Sequence, residues 1–310
     1  MGPVVAVVGP TAAGKSRVAL LLAERLGGEI VNADALQVYR AFDLGTAKPG
    51  AEDLARVPHH LIDVLEPHER YSAGEFARRA RAAIADIQGR GRLPIVVGGS
   101  GLYHRALLDG LCPAPRADAG IGQELRRCLA AQGLAALRAE LERLDPQTAA
   151  RLAPGDTQRT LRALEVALAS GRPLASWIAL QPFGRQRLRA LRVGLTLPRA
   201  ILYDRIAVRV ARMVTEGWVE EVEGLLVRGL SPRLPAFQAI GYRQIADHLV
   251  GGCTLKEALE ETVRATRRFA KRQLTWFRKE PEVVWFQAME PERGVPEILE
   301  FLRAAGVGES

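Results

Sequence analysis

The stretch that most limits what this chain can fold into is VVAVVGPTAAGKSRVALLLAERL, residues 4–26. Its eight central residues, GPTAAGKS, follow the spacing G-x-x-x-x-G-K-[ST], in which a strand delivers a glycine-rich turn to a helix N-terminus. The apolar run Val4 to Val8 reads as a buried strand, and apolar positions recur with helical period from Lys15 to about Leu26. In such a loop Gly9 and Gly14 permit backbone angles that turn successive N–H groups toward one anion, and the helix dipole adds positive potential. Gly9, Pro10, Thr11, Ala12, Ala13, Gly14, Lys15 and Ser16 are therefore the candidate phosphate-binding residues. Lys15 supplies a positive charge and Ser16 a hydroxyl suited to Mg²⁺. The motif defines a ligand class and leaves the reaction open.

Further along, GGEIVNAD (27–34) reads as a second strand, Ser72 to Glu75 as a capping box that opens a helix to about Gln88, and LPIVV (93–97) as a third strand. Strands alternating with helices predict an α/β fold, a P-loop NTPase-like parallel sheet flanked by helices on both faces. GGSGLY (98–103) follows the third strand directly, so it belongs at the same sheet edge as the phosphate loop. From Pro113 to about residue 189 the chain becomes helical segments broken by turns, which predicts an all-helical insertion between core segments 1–112 and 190–310. ALRVGLTL (190–197) returns as a strand, with Pro198 opening a helix, and VVWF (283–286) is a short strand in an otherwise helical remainder.

Charge indicates the kind of partner. The net charge is +8, and the insertion, with twelve Arg against seven acids, carries +5 of it. On helical geometry TVRATRRFAKRQLTWFRK (262–279) gathers Arg264, Arg267, Arg268, Lys271, Arg272, Arg278 and Lys279 on one broad face, with Val263, Ala270, Leu274 and Phe277 opposite. Phe269 and Trp276 flank that face, as in surfaces that stack bases. Arg205, Arg209 and Arg212 form a second basic stripe. A nucleic-acid partner and a solvated basic face both fit these patterns.

Asp34, in VNADALQVY, ends the second strand and is open to three roles: Mg²⁺ partner, general base or helix N-cap. His59 and His60 are adjacent on a strand, point to opposite faces and predict packing rather than a shared metal. Cys112, Cys128 and Cys253 lack C-x-x-C spacing, which predicts reduced, structural cysteines. No apolar run is long enough for a membrane span and the N-terminus has no leader pattern, so a cytoplasmic monomer is the expectation.

Taken together, GPTAAGKS, NADALQVYRAFDLGTAKP, PHHLIDV, YSAGEF, PIVVGGSGLY, GDTQRTLRALEV, AIGYRQ and TRRFAKRQLTWFR occur in the order found in bacterial tRNA dimethylallyltransferases. The chain resembles that family from about Val4 to Arg278. The resemblance implies transfer of a dimethylallyl group from dimethylallyl diphosphate to N6 of adenosine 37 in the tRNA anticodon stem-loop, with release of diphosphate and with Mg²⁺ as cofactor. On this reading the phosphate loop holds a prenyl diphosphate, and ATP need not be involved. The resemblance makes Asp34, Ser100 and Arg209 catalytic, with Asp34 at the adenine amine and Arg209 at the diphosphate; Ser100 stands where relatives usually have Thr. It assigns tRNA contacts to Asp34, Ala35, Leu36 and Gln37, to Ser100, and to Gln158, Arg159, Thr160, Leu161 and Arg162. The basic residues Arg267, Arg268 and Lys271 would meet tRNA phosphates.

Departures are local. DALQ stands in place of D-S-M-Q, APGD (153–156) in place of H-P-N-D, and Gly122 where relatives place a basic residue, with Arg116 and Arg126 nearby as substitutes. The competing readings are an adenylate isopentenyltransferase acting on free AMP, ADP or ATP, a P-loop small-molecule kinase, and an RNA-binding module without chemistry. The basic insertion and the 262–279 helix would be superfluous for a free nucleotide.

Overall fold

The computed structural model describes residues 2–115, 118–180, 187–280, 282–287 and 289–308. It divides into two compact units, one formed by 1–108 with 188–310 and the other by 109–187. The sequence reading sets the insertion at 113–189.

Among the described residues the larger unit is built on six parallel strands: β1 (Val4–Val8), β2 (Gly28–Asn32), β3 (His59–His60), β4 (Leu93–Val97), β5 (Ala190–Thr196) and β6 (Val283–Gln287). Their order is β3-β2-β4-β1-β5-β6. β1 is central and fully buried, paired with β4 through Val5–Ile95 and with β5 through Val5–Leu191. All-parallel pairing needs helical crossovers, which cover both faces and explain why β1 and β4 are apolar runs instead of alternating patterns. The VVWF segment continues to Gln287 and pairs with β5 at the sheet edge.

The helices are α1 (Lys15–Leu26), α2 (Ala51–Arg56), α3 (Ala73–Gly89), α4 (Gly101–Leu108), α5 (Ala119–Leu144), α6 (Pro146–Arg151), α7 (Thr157–Ser170), α8 (Leu174–Leu180), α9 (Arg199–Thr215), α10 (Trp218–Val227), α11 (Tyr242–Leu249), α12 (Leu255–Phe277) and α13 (Pro291–Ala304). One face of the sheet is closed by α1 and α13, whose Val18, Leu22, Val295, Ile298 and Leu302 bury together with Val5, Val7 and Val193. On the other face Phe76, Ile84 and Ile87 of α3 and Leu107 of α4 pack on Val4, Ala6 and Val96. A separate aromatic cluster joins Phe42, Trp218, Phe237 and Tyr242.

Local expectations meet particular partners. Ser72 caps α3 by accepting from the Glu75 amide at 3.1 Å, but the Glu75 carboxylate pairs forward with Arg78 and Arg79 instead of closing the box. Pro198 is the cap residue itself and Arg199 begins α9. His59 and His60 engage separate partners, Val57 O at 2.8 Å and the buried Glu29 carboxylate at 2.7 Å. No helix among the described residues is long and apolar enough to cross a membrane.

The smaller unit is helical, α5 to α8, around Leu125, Leu141, Ala163 and Leu164. Gly133 breaks α5 at φ 77°, so that two helical runs meet at a kink. The buried Asp145 holds the turn into α6: its carboxylate accepts from Thr148 N at 3.0 Å, Thr148 Oγ1 at 2.6 Å and Ala175 N at 3.1 Å. Because Ile298 is fully buried between α13 and the sheet, Ile298→Ala should lower unfolding free energy by about 2–5 kcal/mol, read as a lower urea midpoint at unchanged slope.

Candidate active site

Parallel strands send all their carboxyl ends to one edge, so the loops after β1, β2 and β4 come together there. Between them and α9 and α12 lies a cavity of about 950 Å³. Its floor is the phosphate loop. Gly9 has φ 139°, and a Cβ at that position would meet Leu195 O at 2.5 Å, so both conformation and the closeness of β5 require glycine. Gly14, at φ 89°, turns the chain into α1, and Ala12 also takes positive φ. Thr11, Ala12, Gly14, Lys15 and Ser16 line the cavity. The first amides of α1 have no acceptor within the helix and remain available to an anion.

Electrostatically the cavity is cationic. Lys15 reaches Pro10 O with its ammonium at 2.7 Å, and its pKa is pushed down to about 8, chiefly by desolvation and partly by Arg209, against the opposing pull of Asp34. Burial likewise draws the Arg209 pKa below its ordinary value, with Asp34 acting in the other direction. Three groups predicted separately therefore share one field: Lys15 on the loop, Asp34 after β2 and Arg209 on α9. Arg205 also lines the cavity and donates to Met289 O. Two half-buried, desolvated cations near one carboxylate leave net positive charge for an anionic ligand.

Asp34 is not a helix cap. Its Oδ1 accepts from Leu36 N at 2.9 Å, forming a turn, and the chain stays in turns until α2. Asn32 fixes that turn by accepting from Asp34 N at 2.9 Å. Leu36 and Gln37 line the cavity, and Gln37 donates to Thr46 O and Ala47 O, tying the segment down. Ala35 packs among Val31 and Phe76 rather than on the cavity wall.

Ser100 immediately precedes α4, its carbonyl accepting from Tyr103 N and His104 N, and it is not among the residues that wall the cavity. Its neighbour Gly98 is.

On α12, Lys271 and Arg272 are exposed and Arg272 lines the cavity. Arg268 pairs with Glu261 at 2.5 Å, and Arg264 pairs with Glu260 and Glu261, acids that lie just upstream of the all-basic stretch. Arg267 turns inward: its guanidinium covers the Tyr203 ring at 5.1 Å and donates to Tyr203 O at 3.3 Å. In the helical unit, Gln158 and Arg159 are exposed at the start of α7, whereas Thr160 is fully buried, so its side chain offers nothing to a surface partner. Leu161 is half-buried against the helical core, and Arg162 donates to Pro115 O and pairs with Glu165. Glu165 also crowds Gly122, where an added Cβ would sit 2.8 Å from its carboxylate. Arg116 lies outside the described residues.

The most consequential residue missed by the sequence reading is Gln273, a cavity-lining amide on α12 that bonds the phosphate loop. A signal for it existed. Ala270, Gln273, Leu274 and Phe277 share the i, i+3, i+4, i+7 stripe, so Gln273 is a polar residue on an otherwise apolar face. Thr266 and Trp218, also on the wall, carried no comparable signal, whereas Phe269, on the wall too, had been read as flanking the basic face.

A parallel sheet with a phosphate loop and a cationic cavity at its strand ends defines a P-loop-like α/β fold whose site suits an anionic ligand. The IPP transferase family model matches residues 37–280 and the isopentenyl transferase model residues 2–66. A tRNA dimethylallyltransferase of Halorhodospira halophila is 51% identical over 290 residues, covering 92% of this chain and 93% of the relative. One from Geobacter sulfurreducens is 49% identical over 91% of each chain. The crystal structure of a tRNA isopentenylpyrophosphate transferase from Bacillus halodurans has a TM-score of 0.72 at 40% identity, covering 98% of this chain and 96% of its own. A eukaryotic dimethylallyltransferase structure has the same fold at TM-score 0.85 and 23% identity, covering 99% of this chain and 80% of its own. The chain belongs to the IPP transferase family and is a transferase.

Since desolvation, not an acceptor, lowers the Lys15 pKa, an anion that restores its charge partner should raise it. Near pH 9 the free enzyme holds Lys15 mostly neutral, so diphosphate binding should take up a proton. Calorimetry in two buffers of different ionisation enthalpy should show that uptake near pH 9 and little of it at pH 7.

Proposed function

We propose that this protein transfers the dimethylallyl group of dimethylallyl diphosphate to N6 of adenosine 37 in tRNA. The observation that carries the reading is the convergence of Lys15, Arg209 and Asp34 on one cavity floored by a phosphate loop. In the reaction the allylic C1–O bond breaks, the N6–C1 bond forms, diphosphate leaves, and the N6 proton passes to a base. Negative charge grows on the diphosphate as the bond breaks, and Lys15, Arg209 and the first amides of α1 are placed to stabilise it. Asp34 is the base: the bond from Leu36 N holds its carboxylate at the wall while leaving acceptor capacity for the amine.

Ser16, exposed on the cavity wall, would hold Mg²⁺. Its hydroxyl is a hard oxygen donor of the kind that cation takes. When bound, the ion neutralises part of the diphosphate charge.

Adenine in a stacked anticodon loop must leave its stack to reach such a cavity. The apolar wall formed by Ile201, Ile206, Met213 and Trp218 suits a five-carbon prenyl chain. Exposed Lys271 and Arg272 on α12, with Arg159 on α7, supply phosphate contacts that a free nucleotide would not need.

The deciding experiment incubates the protein with unmodified tRNA, Mg²⁺ and dimethylallyl diphosphate, with AMP as competing acceptor, followed by nucleoside mass spectrometry. A dimethylallyl mass gain on adenosine 37 alone is the expected result; gain only on AMP assigns the enzyme to free nucleotides. Asp34→Ala should reduce transfer at least about a hundredfold while tRNA affinity changes little. Lys271→Ala should weaken tRNA binding and reduce its log–log salt slope by about one. Arg267→Ala should chiefly lower stability, through loss of its Tyr203 contact.

A further inference from the structure

Gln273 is 6% exposed and makes two long-range hydrogen bonds through one amide. Its Oε1 accepts from Thr11 N at 2.8 Å, and its Nε2 donates to Gly99 O at 3.0 Å. Thr11 is 262 residues away and Gly99 is 174 away, so a single side chain on α12 ties together the loops after β1 and β4. The approach is close enough to explain the second glycine of PIVVGGSGLY. A Cβ on Gly99 would lie 2.0 Å from Gln273 Nε2.

Because Thr11 N points to Gln273, that amide is withheld from any ligand. Its bond instead fixes the start of the loop whose later amides open α1. A buried amide with both ends satisfied is costly to rearrange, since losing either partner strands a desolvated group. We infer that Gln273 is a positioning residue for the donor site, holding the phosphate loop against the β4–α4 turn so that the loop amides and Lys15 meet the diphosphate in one fixed geometry. It touches neither reacting atom and acts through Thr11 and Gly99. Its KM readout rests on the prenyl-transfer reading; its binding readout does not.

The test uses Gln273→Leu, which removes both bonds, and Gln273→Glu, which reproduces them only when protonated. A carboxylate still accepts from Thr11 N but is repelled by Gly99 O, whereas the neutral acid donates to Gly99 O as glutamine does. Charged groups on the same cavity wall as Gln273 are Lys15 on the loop, Asp34 after β2, Arg205 and Arg209 on α9 and Arg272 on α12, while His104 on α4, which burial holds at a pKa of about 4, is neutral over this range. Activities are therefore taken as ratios to wild type at each pH, which cancels their titration.

Gln273→Leu should raise the KM for dimethylallyl diphosphate about tenfold with a smaller fall in kcat, and weaken inorganic diphosphate binding in calorimetry by a similar factor, with tRNA affinity unchanged. Gln273→Glu should resemble Gln273→Leu at pH 8 and approach wild type as pH falls toward 6. Unchanged diphosphate affinity in both variants, or a Gln273→Glu ratio flat with pH, overturns the inference. Should Gln273→Leu fail to fold, Gln273→Glu decides alone, its far-UV circular dichroism confirming the native state. A wild-type enzyme inactive on tRNA would overturn the prenyl-transfer reading, and diphosphate calorimetry would then decide the role of Gln273 independently.

Discussion

The central parallel pairing of β1 between β4 and β5 is the constraint on which the rest of the structure depends. It buries β1 on both faces, which is why five consecutive apolar residues precede the phosphate loop, and it sets Gly9 against Leu195 O too closely for any side chain. The same pairing carries the ends of β2 and β4 to that edge. Asp34 and Gly98 thereby arrive at the same cavity as Lys15, as loops that follow parallel strands must.

Around that edge the protein gathers charge that water no longer screens. Lys15 and Arg209 are both desolvated, and Asp34 offsets only part of their repulsion. Such an arrangement is costly in the free protein and becomes favourable when an anion enters, which is the general way a site is matched to charge developing on a leaving group. Gln273 complements it without charge: its neutral amide can lie buried beside the cations, tethering the loop at little electrostatic cost.

Much of the core was legible from local pattern. The strands at Val4–Val8 and Leu93–Val97, helix α1 and the Ser72 cap follow from apolar runs, helical period and short-range hydrogen bonding, all written within a few residues. Lys15, Asp34 and Arg209 were named from motifs, and the structure sets them around one cavity. Ser100 was named from the family resemblance, and nothing in the local pattern showed that its carbonyl starts α4. Arg267 and Thr160 were read from helical projection and motif position, which give direction around an axis but not what packs there: Tyr203 takes the first and the helical core the second.

By itself the sequence determined the phosphate loop, the alternation of strands and helices and the family to which the chain belongs, because each is encoded in spacing along the chain. Tertiary structure alone decided which distant groups meet: the shared field of Lys15, Asp34 and Arg209, the capture of Arg268 by Glu261, and the bonds from Gln273 to Thr11 and Gly99. The reason is physical. Hydrogen bonds and desolvation act over a few ångströms of space, and chain-distant residues come within that range only when the sheet has set the order of its strands.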